Sequence, residues 1–198
     1  MDDAEKIYYR TKMRQRPSRD GIIKPGPGQE SVWDYPRPPR VALISKPGKV
    51  LLNGQVIAAS DRLLKVMETA SPPTYYFPPD DVDLARLEAG ARRTFCEWKG
   101  EAHYWHVSVD GARMEHAAWS YPNPLEDSGE CAQVRGHFAF YPSGLECFLG
   151  DDRIDPQQGG FYGGWITPDI TGPFKGAPGT RGRGARGARG RGAARRGR

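Results

Sequence analysis

Residues 102–121 read A-H-Y-W-H-V-S-V-D-G-A-R-M-E-H-A-A-W-S-Y, and this stretch decides the fold class. Asp110-Gly111 is a two-residue turn signal, because a type I′ turn needs positive φ at both central positions. Closing a hairpin there sets Val109 opposite Ala112 and Val107 opposite Met114 on one face. It sets Ser108 opposite Arg113 and His106 opposite Glu115 on the other. The faces stay sorted into apolar and polar over four pairs, which a slipped register would not allow. Beyond Met114 the apolar residues move to the odd positions Ala117, Trp119 and Tyr121, and a bulge near His116 accounts for the change of phase.

The flanking sequence repeats the theme. Asn53-Gly54 lies between apolar, β-branched runs in V-L-L-N-G-Q-V-I-A-A-S (50–60) and predicts a second hairpin. Ser143-Gly144, between G-H-F-A-F-Y-P (136–142) and L-E-C-F-L-G (145–150), predicts a third. T-Y-Y-F (74–77) reads as a short strand. Two short helices are predicted as well. One covers 61–70, with Leu63, Leu64 and Met67 on one face and Pro72-Pro73 as its stop. The other is capped by Asp80 or Asp81, turns Leu84 and Leu87 to the core, and ends at Gly90. W-D-Y-P-R-P-P (33–39) predicts an extended arm lying on the domain through Trp33 and Tyr35, since proline suits neither helix nor central strand. F-Y-G-G-W-I-T-P-D-I-T-G-P-F-K-G (161–176) closes the folded part as a Gly/Pro-rich arm. The fold class is therefore mainly β within α+β: an antiparallel domain of short strands and hairpins with two short helices.

Charge divides the chain into three parts. Residues 1–40 carry nine basic and six acidic side chains, residues 41–180 twelve and eighteen, and residues 181–198 eight arginines with no acid. The body is acidic and the excess of basic charge sits at the ends. The final stretch, R-G-R-G-A-R-G-A-R-G-R-G-A-A-R-R-G-R, has no aliphatic side chain larger than Ala, so it is expected to be a disordered tail. A head at 1–30, with a short helix near Ala4 stopped by P-G-P-G-Q (25–29), a single domain at 31–180 and the tail at 181–198 complete the organisation. An arginine tail on an acidic body reads as a polyanion-binding arm, with Arg181, Arg183, Arg186, Arg189, Arg191, Arg195, Arg196 and Arg198 as the nucleic-acid contacts.

Several chemistries are disfavoured. Cys96, Cys131 and Cys147 are scattered without a C-x-x-C, which argues against a disulfide framework and a four-cysteine zinc site. No metal or cofactor is indicated. No apolar run has the length of a signal peptide or a membrane span, so the expected location is cytoplasmic, with no membrane partner. GxxxxGK[ST], GxSxG and HExxH do not occur.

Twelve of the twenty-one aromatics fall between Tyr75 and Tyr141, clustered with prolines at 75–79, 119–122 and 140–142. They form either an aromatic core or the wall of a ligand cavity. On the second reading Tyr75, Tyr76, Trp98, Tyr104, Trp119, Tyr121 and Tyr141 line the cleft. Cys96-Glu97-Trp98-Lys99-Gly100 is the densest chemical run. On a strand Glu97 and Lys99 share one face and Cys96 and Trp98 the other, making a surface ion pair or an acid/base couple. His137 is a structural histidine or, with Cys96, half of a nucleophilic dyad. His103, His106 and His116 lie in one hairpin, where two of them could bind a metal, although a His106–Glu115 salt pair is the simpler reading.

Seven ordered motifs carry a resemblance. They are D-Y-P-R-P-P-R-V (34–41), N-G-x-V-I-A-x-S (53–60), P-P-T-Y-Y-F-P-P-x-D-V (72–82), C-E-W-K-G-x-A-x-Y-W (96–105), A-W-S-Y-P-x-P (118–124), G-H-x-A-F-Y-P (136–142) and G-G-F-Y-G-G-W-I-T-P-D-I (159–170). Together they resemble the bacterial and fungal domain of unknown function 427 over about residues 30–180. The resemblance implies a β-tent-like fold, two antiparallel sheets leaning over a cleft, and no established activity. The family is sometimes labelled nucleotidyltransferase-like. That chemistry needs paired acidic metal ligands after a Gly-Ser turn, and the chain has neither. The zinc knuckles of several β-tent relatives are also missing.

Two function classes follow. The first is a small-molecule-binding domain with an aromatic cleft, its polar groups drawn from Glu97, Lys99 and His137 and any reaction unassigned. The second is a structural or interaction module that acts on nucleic acid through its tail.

Overall fold

The computed structural model describes Ala4, Ile7, Thr11 and residues 21–177. Ala4, Ile7 and Thr11 are helical, where a short helix was expected, and the Thr11 hydroxyl donates to the Ile7 carbonyl at 3.0 Å. The arginine tail at 181–198 lies outside the described residues.

The described chain is mostly strand. In order these are β1 (Glu30–Ser31), β2 (Arg40–Ile44), β3 (Gly48–Leu52), β4 (Gln55–Ser60), β5 (Leu63–Met67), β6 (Thr74–Tyr76), β7 (Leu87–Cys96) and β8 (Gly100–Val109). Then follow β9 (Ala112–Ser120), β10 (Phe138–Phe140), β11 (Glu146–Leu149), β12 (Asp152–Arg153), β13 (Asp155–Pro156), β14 (Trp165–Ile166) and β15 (Ile170–Thr171). Three antiparallel sheets carry the fold, in the orders β10-β9-β8-β7, β12-β11-β3-β4 and β2-β5-β6. A parallel β1-β15 pair joins the two ends of the described segment, and β13 and β14 form a separate antiparallel pair.

The deciding hairpin closes as its sequence requires. Val109 pairs with Ala112, Ser108 with Arg113 and Val107 with Met114, and Asp110 and Gly111 take φ of 44° and 80°. The Asn53-Gly54 turn likewise has φ of 51° and 73°. The bulge falls at His116, whose φ is 52°. There the register steps from Val107↔Met114 to Trp105↔Ala118, so His106 faces a three-residue span of β9 and has no Glu115 partner in the ladder. Two inserted residues preserve the parity of the strand. The odd positions turn apolar for a different reason: a second core covers that face beyond the bulge.

Sheet β10-β9-β8-β7 is buried on both sides at that end. Trp105, Val107, Ala118 and Phe140 face a core shared with β3, β4 and β11 through Val50, Ile57, Cys147 and Leu149. The opposite row Tyr104–Trp119–Ala139, in direct register, faces a second core built with Val41, Leu64, Val66 and Tyr76.

Four local expectations are corrected by this arrangement. Residues 61–70 form strand β5, not a helix. Leu63 joins the first core while Leu64 and Val66 join the second, and a central strand buried on both faces loses the alternation that marks an edge strand. The expected helix at 80–90 is two 3-10 turns, Pro79–Asp81 and Leu84–Arg86, followed by β7. Leu84 is exposed, and Gly90 sits in a β7 bulge where a Cβ would come within 3.0 Å of His106 Nε2. Residues 136–150 are no hairpin: β10 pairs with β9 and β11 with β3 and β12, so Ser143-Gly144 crosses between sheets. Finally, Cys96 ends β7, and Glu97, Trp98 and Lys99 are the turn into β8 rather than a strand.

The 33–39 arm packs as expected, with Trp33 and Tyr35 buried, although Val32–Asp34 make a 3-10 turn. Trp33 Nε1 donates to the Pro173 carbonyl at 2.8 Å, pinning the arm to the end of the described chain.

Candidate functional site

The β7–β8 turn brings the densest chemical run indoors. Cys96 pairs with Gly100, whose φ of 94° closes the turn, and Leu125 from the β9–β10 connection lies over the Gly100 Cα. Glu97, Trp98 and Lys99 are consequently all buried, each about 5–6 % exposed. A charged hairpin tip normally stays in water. This one is tucked under the sheets.

It closes one side of a cavity of about 120 Å³. By the share one water needs, this is room for several waters or a small organic molecule. The walls come from well-separated parts of the chain. The β5–β6 segment supplies Glu68, Ser71, Thr74 and Tyr76; β7 and its turn supply Thr94, Cys96, Glu97 and Lys99. The central sheet supplies Tyr104, Trp119, Tyr121 and Tyr141, and the Gly/Pro-rich arm contributes Gln157, Phe161, Tyr162, Gly163, Gly164 and Lys175.

The aromatic walls are fixed by hydrogen bonds. Trp119 Nε1 donates to the Tyr76 hydroxyl oxygen at 3.3 Å, and Tyr141 OH donates to the Phe161 carbonyl at 3.0 Å. Thr94 Oγ1 and Tyr104 OH are 2.9 Å apart. Trp119 meets Tyr141 at 4.5 Å and Tyr76 edge-on at 6.3 Å between ring centroids. Gly163 and Gly164 let the arm come close: a Cβ on Gly163 would overlap the Trp119 ring, and one on Gly164 would sit 2.8 Å from the Pro72 carbonyl. Gln157 clamps the arm, accepting from Gly164 N at 3.0 Å and donating to the Lys175 carbonyl at 2.6 Å.

Four charged groups converge on this apolar space. Lys175 Nζ lies 3.4 Å from Glu68 Oε1 and 5.0 Å from the centre of the Tyr162 ring. Lys99 Nζ lies over the Tyr121 ring at 5.6 Å. The carboxylates are driven apart in acidity. Burial raises Glu97 and the Glu68 charge raises it further, whereas Glu68, despite its own burial, is held below the usual carboxylate value by Lys175, Lys99 and Arg37. Burial works against the Lys99 ammonium, but its pKa is held above the lysine norm, and Glu68 is the anion that favours its charge at neutral pH. Burial pushes the Tyr76 and Tyr121 phenols up as well. Two carboxyl groups of divergent acidity beside two lysines form a set able to give and take protons from a bound molecule.

Of the residues expected to line a cleft, Tyr76, Tyr104, Trp119, Tyr121 and Tyr141 surround the cavity, and Cys96, Glu97 and Lys99 join them. Tyr75 instead belongs to the first core, 5.3 Å from Trp165. Trp98 packs in the second core, with the Arg37 guanidinium 5.4 Å above its ring. His137 is outside the cavity, its Nδ1 against the Arg135 carbonyl at 3.1 Å. Cys96 is no poised nucleophile: burial raises its thiol, more than Lys99 lowers it. Cys131 and Cys147 are free, buried thiols. His103 pairs with Glu101 at 3.2 Å, and the His106 and His116 rings lie 4.8 Å apart. Among the described residues no three His, Cys, Asp or Glu side chains group as metal ligands, and no helix is long and apolar enough to cross a membrane.

Sequence reasoning missed Glu68, Gln157 and Lys175. Glu68 was hidden in the segment read as a helix. The signal for the arm was available in Gly159-Gly160-Phe161-Tyr162-Gly163-Gly164, an aromatic pair bracketed by glycines that permit close backbone approach.

The profile of the family described as Domain of unknown function (DUF427) matches residues 40–151, and the chain belongs to that family. No curated protein matches the chain.

Proposed function

We propose that this domain binds a small organic molecule in the cavity between Tyr76, Trp119, Tyr121 and the Gly/Pro-rich arm. The observation that carries the reading is the convergence of Glu68, Glu97, Lys99 and Lys175 on one aromatic space. Burying charge costs stability, and an apolar core of the same volume would serve folding as well or better. Titratable groups concentrated in a cavity, with perturbed acidities and a named charge partner, mark functional sites rather than structural ones. The tyrosines support the same reading, since their hydroxyls place hydrogen-bonding groups on walls that phenylalanine would fill equally well. The chemistry assigned here is binding, with Glu97 and Glu68 as the acid and base candidates for any reaction.

A nucleotidyltransferase reading is less well supported by the donor set. Glu68 is engaged by Lys175 and Glu97 is pushed toward its neutral form, so the two do not form a carboxylate pair suited to a divalent cation.

Ligand-observed NMR against a fragment library tests the proposal, with Ser71→Trp as a variant that fills the cavity. Fragments should bind the wild type and lose binding to Ser71→Trp of unchanged thermal stability. Hits indifferent to that substitution, or no hits, would sink the proposal.

A second reading rests on the eight arginines of residues 181–198. Their fixed charge and planar donors match phosphate, so this segment would hold nucleic acid with little sequence preference and strong salt dependence.

A further inference from the structure

Lys99 is buried to 6 % exposure and lines the cavity. Its contact is the face of Tyr121 at 5.6 Å. Among the described residues its ammonium has neither a hydrogen-bond acceptor nor a carboxylate within ion-pair range. The ionised carboxylate of the cavity, Glu68, is engaged by the other ammonium, Lys175. A buried cation without a direct counter-ion is costly, so the missing partner is the informative feature.

Two phenols that line the cavity with it have O–H groups to donate. The Tyr76 oxygen accepts from Trp119 Nε1, which leaves its own O–H proton to donate. The Tyr121 hydroxyl lines the cavity and has no hydrogen-bond partner among the described residues. Burial keeps both phenols protonated. Several acceptors of the lining are in use: Thr94 with Tyr104, the Phe161 carbonyl with Tyr141, and Gln157 with the arm. A site offering one ammonium without a direct counter-ion and two O–H donors is complementary to an anionic acceptor.

Resting on the reading that the cavity takes a ligand, we infer that this ligand is a small organic carboxylate. Its carboxylate sits on Lys99 and the hydroxyls of Tyr76 and Tyr121, and its apolar body lies against Trp119 and Tyr141. One free cation suits a monoanion. A phosphate dianion asks for a second cation, an arginine fork or a nest of backbone N–H groups, and Lys175 is already paired.

Calorimetric titration of the full chain at neutral pH with four probes of similar shape separates the possibilities: benzoate, benzamide, benzamidine and phenyl phosphate. Benzoate should bind about tenfold tighter than each of the others, and Lys99→Met should remove that advantage while leaving benzamide affinity unchanged. The wild-type series decides by itself if Lys99→Met fails to fold. Equal affinity for benzoate and benzamide, or a preference for benzamidine or phenyl phosphate, would overturn the carboxylate assignment and leave the cavity a binding site. No binding by any of the four would also overturn it, and the fragment screen with Ser71→Trp then decides independently whether the cavity binds anything.

Discussion

Lys175 Nζ and Glu68 Oε1 stand 3.4 Å apart across a sequence separation of 107 residues, and this pair latches the C-terminal arm over the cavity. The side chains are 15 % and 17 % exposed, so the pair is screened less than a surface salt bridge. The backbone supports the same contact, with Lys175 N donating to the Ala70 carbonyl at 2.7 Å. A double-mutant cycle with Glu68→Gln and Lys175→Met should give a coupling of about 1–2 kcal/mol, above the median for exposed pairs. Amide exchange at Lys175 should accelerate in either single variant. A coupling near zero would mean that the arm is held by Gln157 and packing alone.

Glu97 and Glu68 predict opposite pH dependences. The folded pKa of Glu97 lies above its ordinary value of 4.5, so the folded state binds the proton more tightly than the unfolded chain. Its contribution is present below that ordinary value and lost as pH rises through the folded pKa. Glu68 is shifted downward, so its contribution is present above the ordinary value and lost as pH falls through the folded pKa. Glu97→Gln should therefore stabilise the protein at neutral pH, and its advantage over the wild type should shrink as the solution is acidified. Glu68→Gln should destabilise at neutral pH and converge on the wild type in acid. Chemical denaturation across the acidic range reads both, and a Glu97→Gln variant weaker than the wild type at neutral pH would contradict the assignment.

Gly163 is needed for its missing side chain. A Cβ there would overlap the edge of Trp119, a ring packed between Tyr76 and Tyr141. Gly163→Ala should cost about 1–3 kcal/mol, the usual penalty for overpacking a filled site. The Trp119 environment should change in the fluorescence spectrum. An alanine accepted without loss would show that the arm does not rest on this ring.

The arginine segment makes a prediction independent of the cavity. Ending the chain after Thr180 removes eight positive charges and no acid, leaving an acidic body. Retention on a nucleic-acid column at low salt should disappear, and for the full chain it should fall steeply with salt. Retention that survives the truncation would move the binding surface onto the folded part.

What the sequence made legible was local. The Asn53-Gly54 and Asp110-Gly111 turns follow from backbone requirements that a few residues carry alone. What it concealed depended on partners far along the chain. Leu63, Leu64 and Val66 resemble a helical face because β5 is covered on both sides, and no local pattern reports a second cover. Phe138–Phe140 and Glu146–Leu149 look like a hairpin because each is a good strand, although they belong to different sheets. Glu97 and Lys99 stood out as part of the densest chemical run, but their burial comes from the turn geometry at Gly100 and the loop bearing Leu125. Tyr75 and Tyr76 are adjacent and equally aromatic, and strand alternation sends one to the core and the other to the cavity.

Mass spectrometry of compounds released on denaturing freshly purified protein reads out whether the aromatic cavity holds a small molecule. At least one low-mass compound should be enriched in the wild-type extract and absent from an equally stable Ser71→Trp variant, designed to fill the space with an indole. Extracts from the two proteins that cannot be told apart would contradict this occupancy.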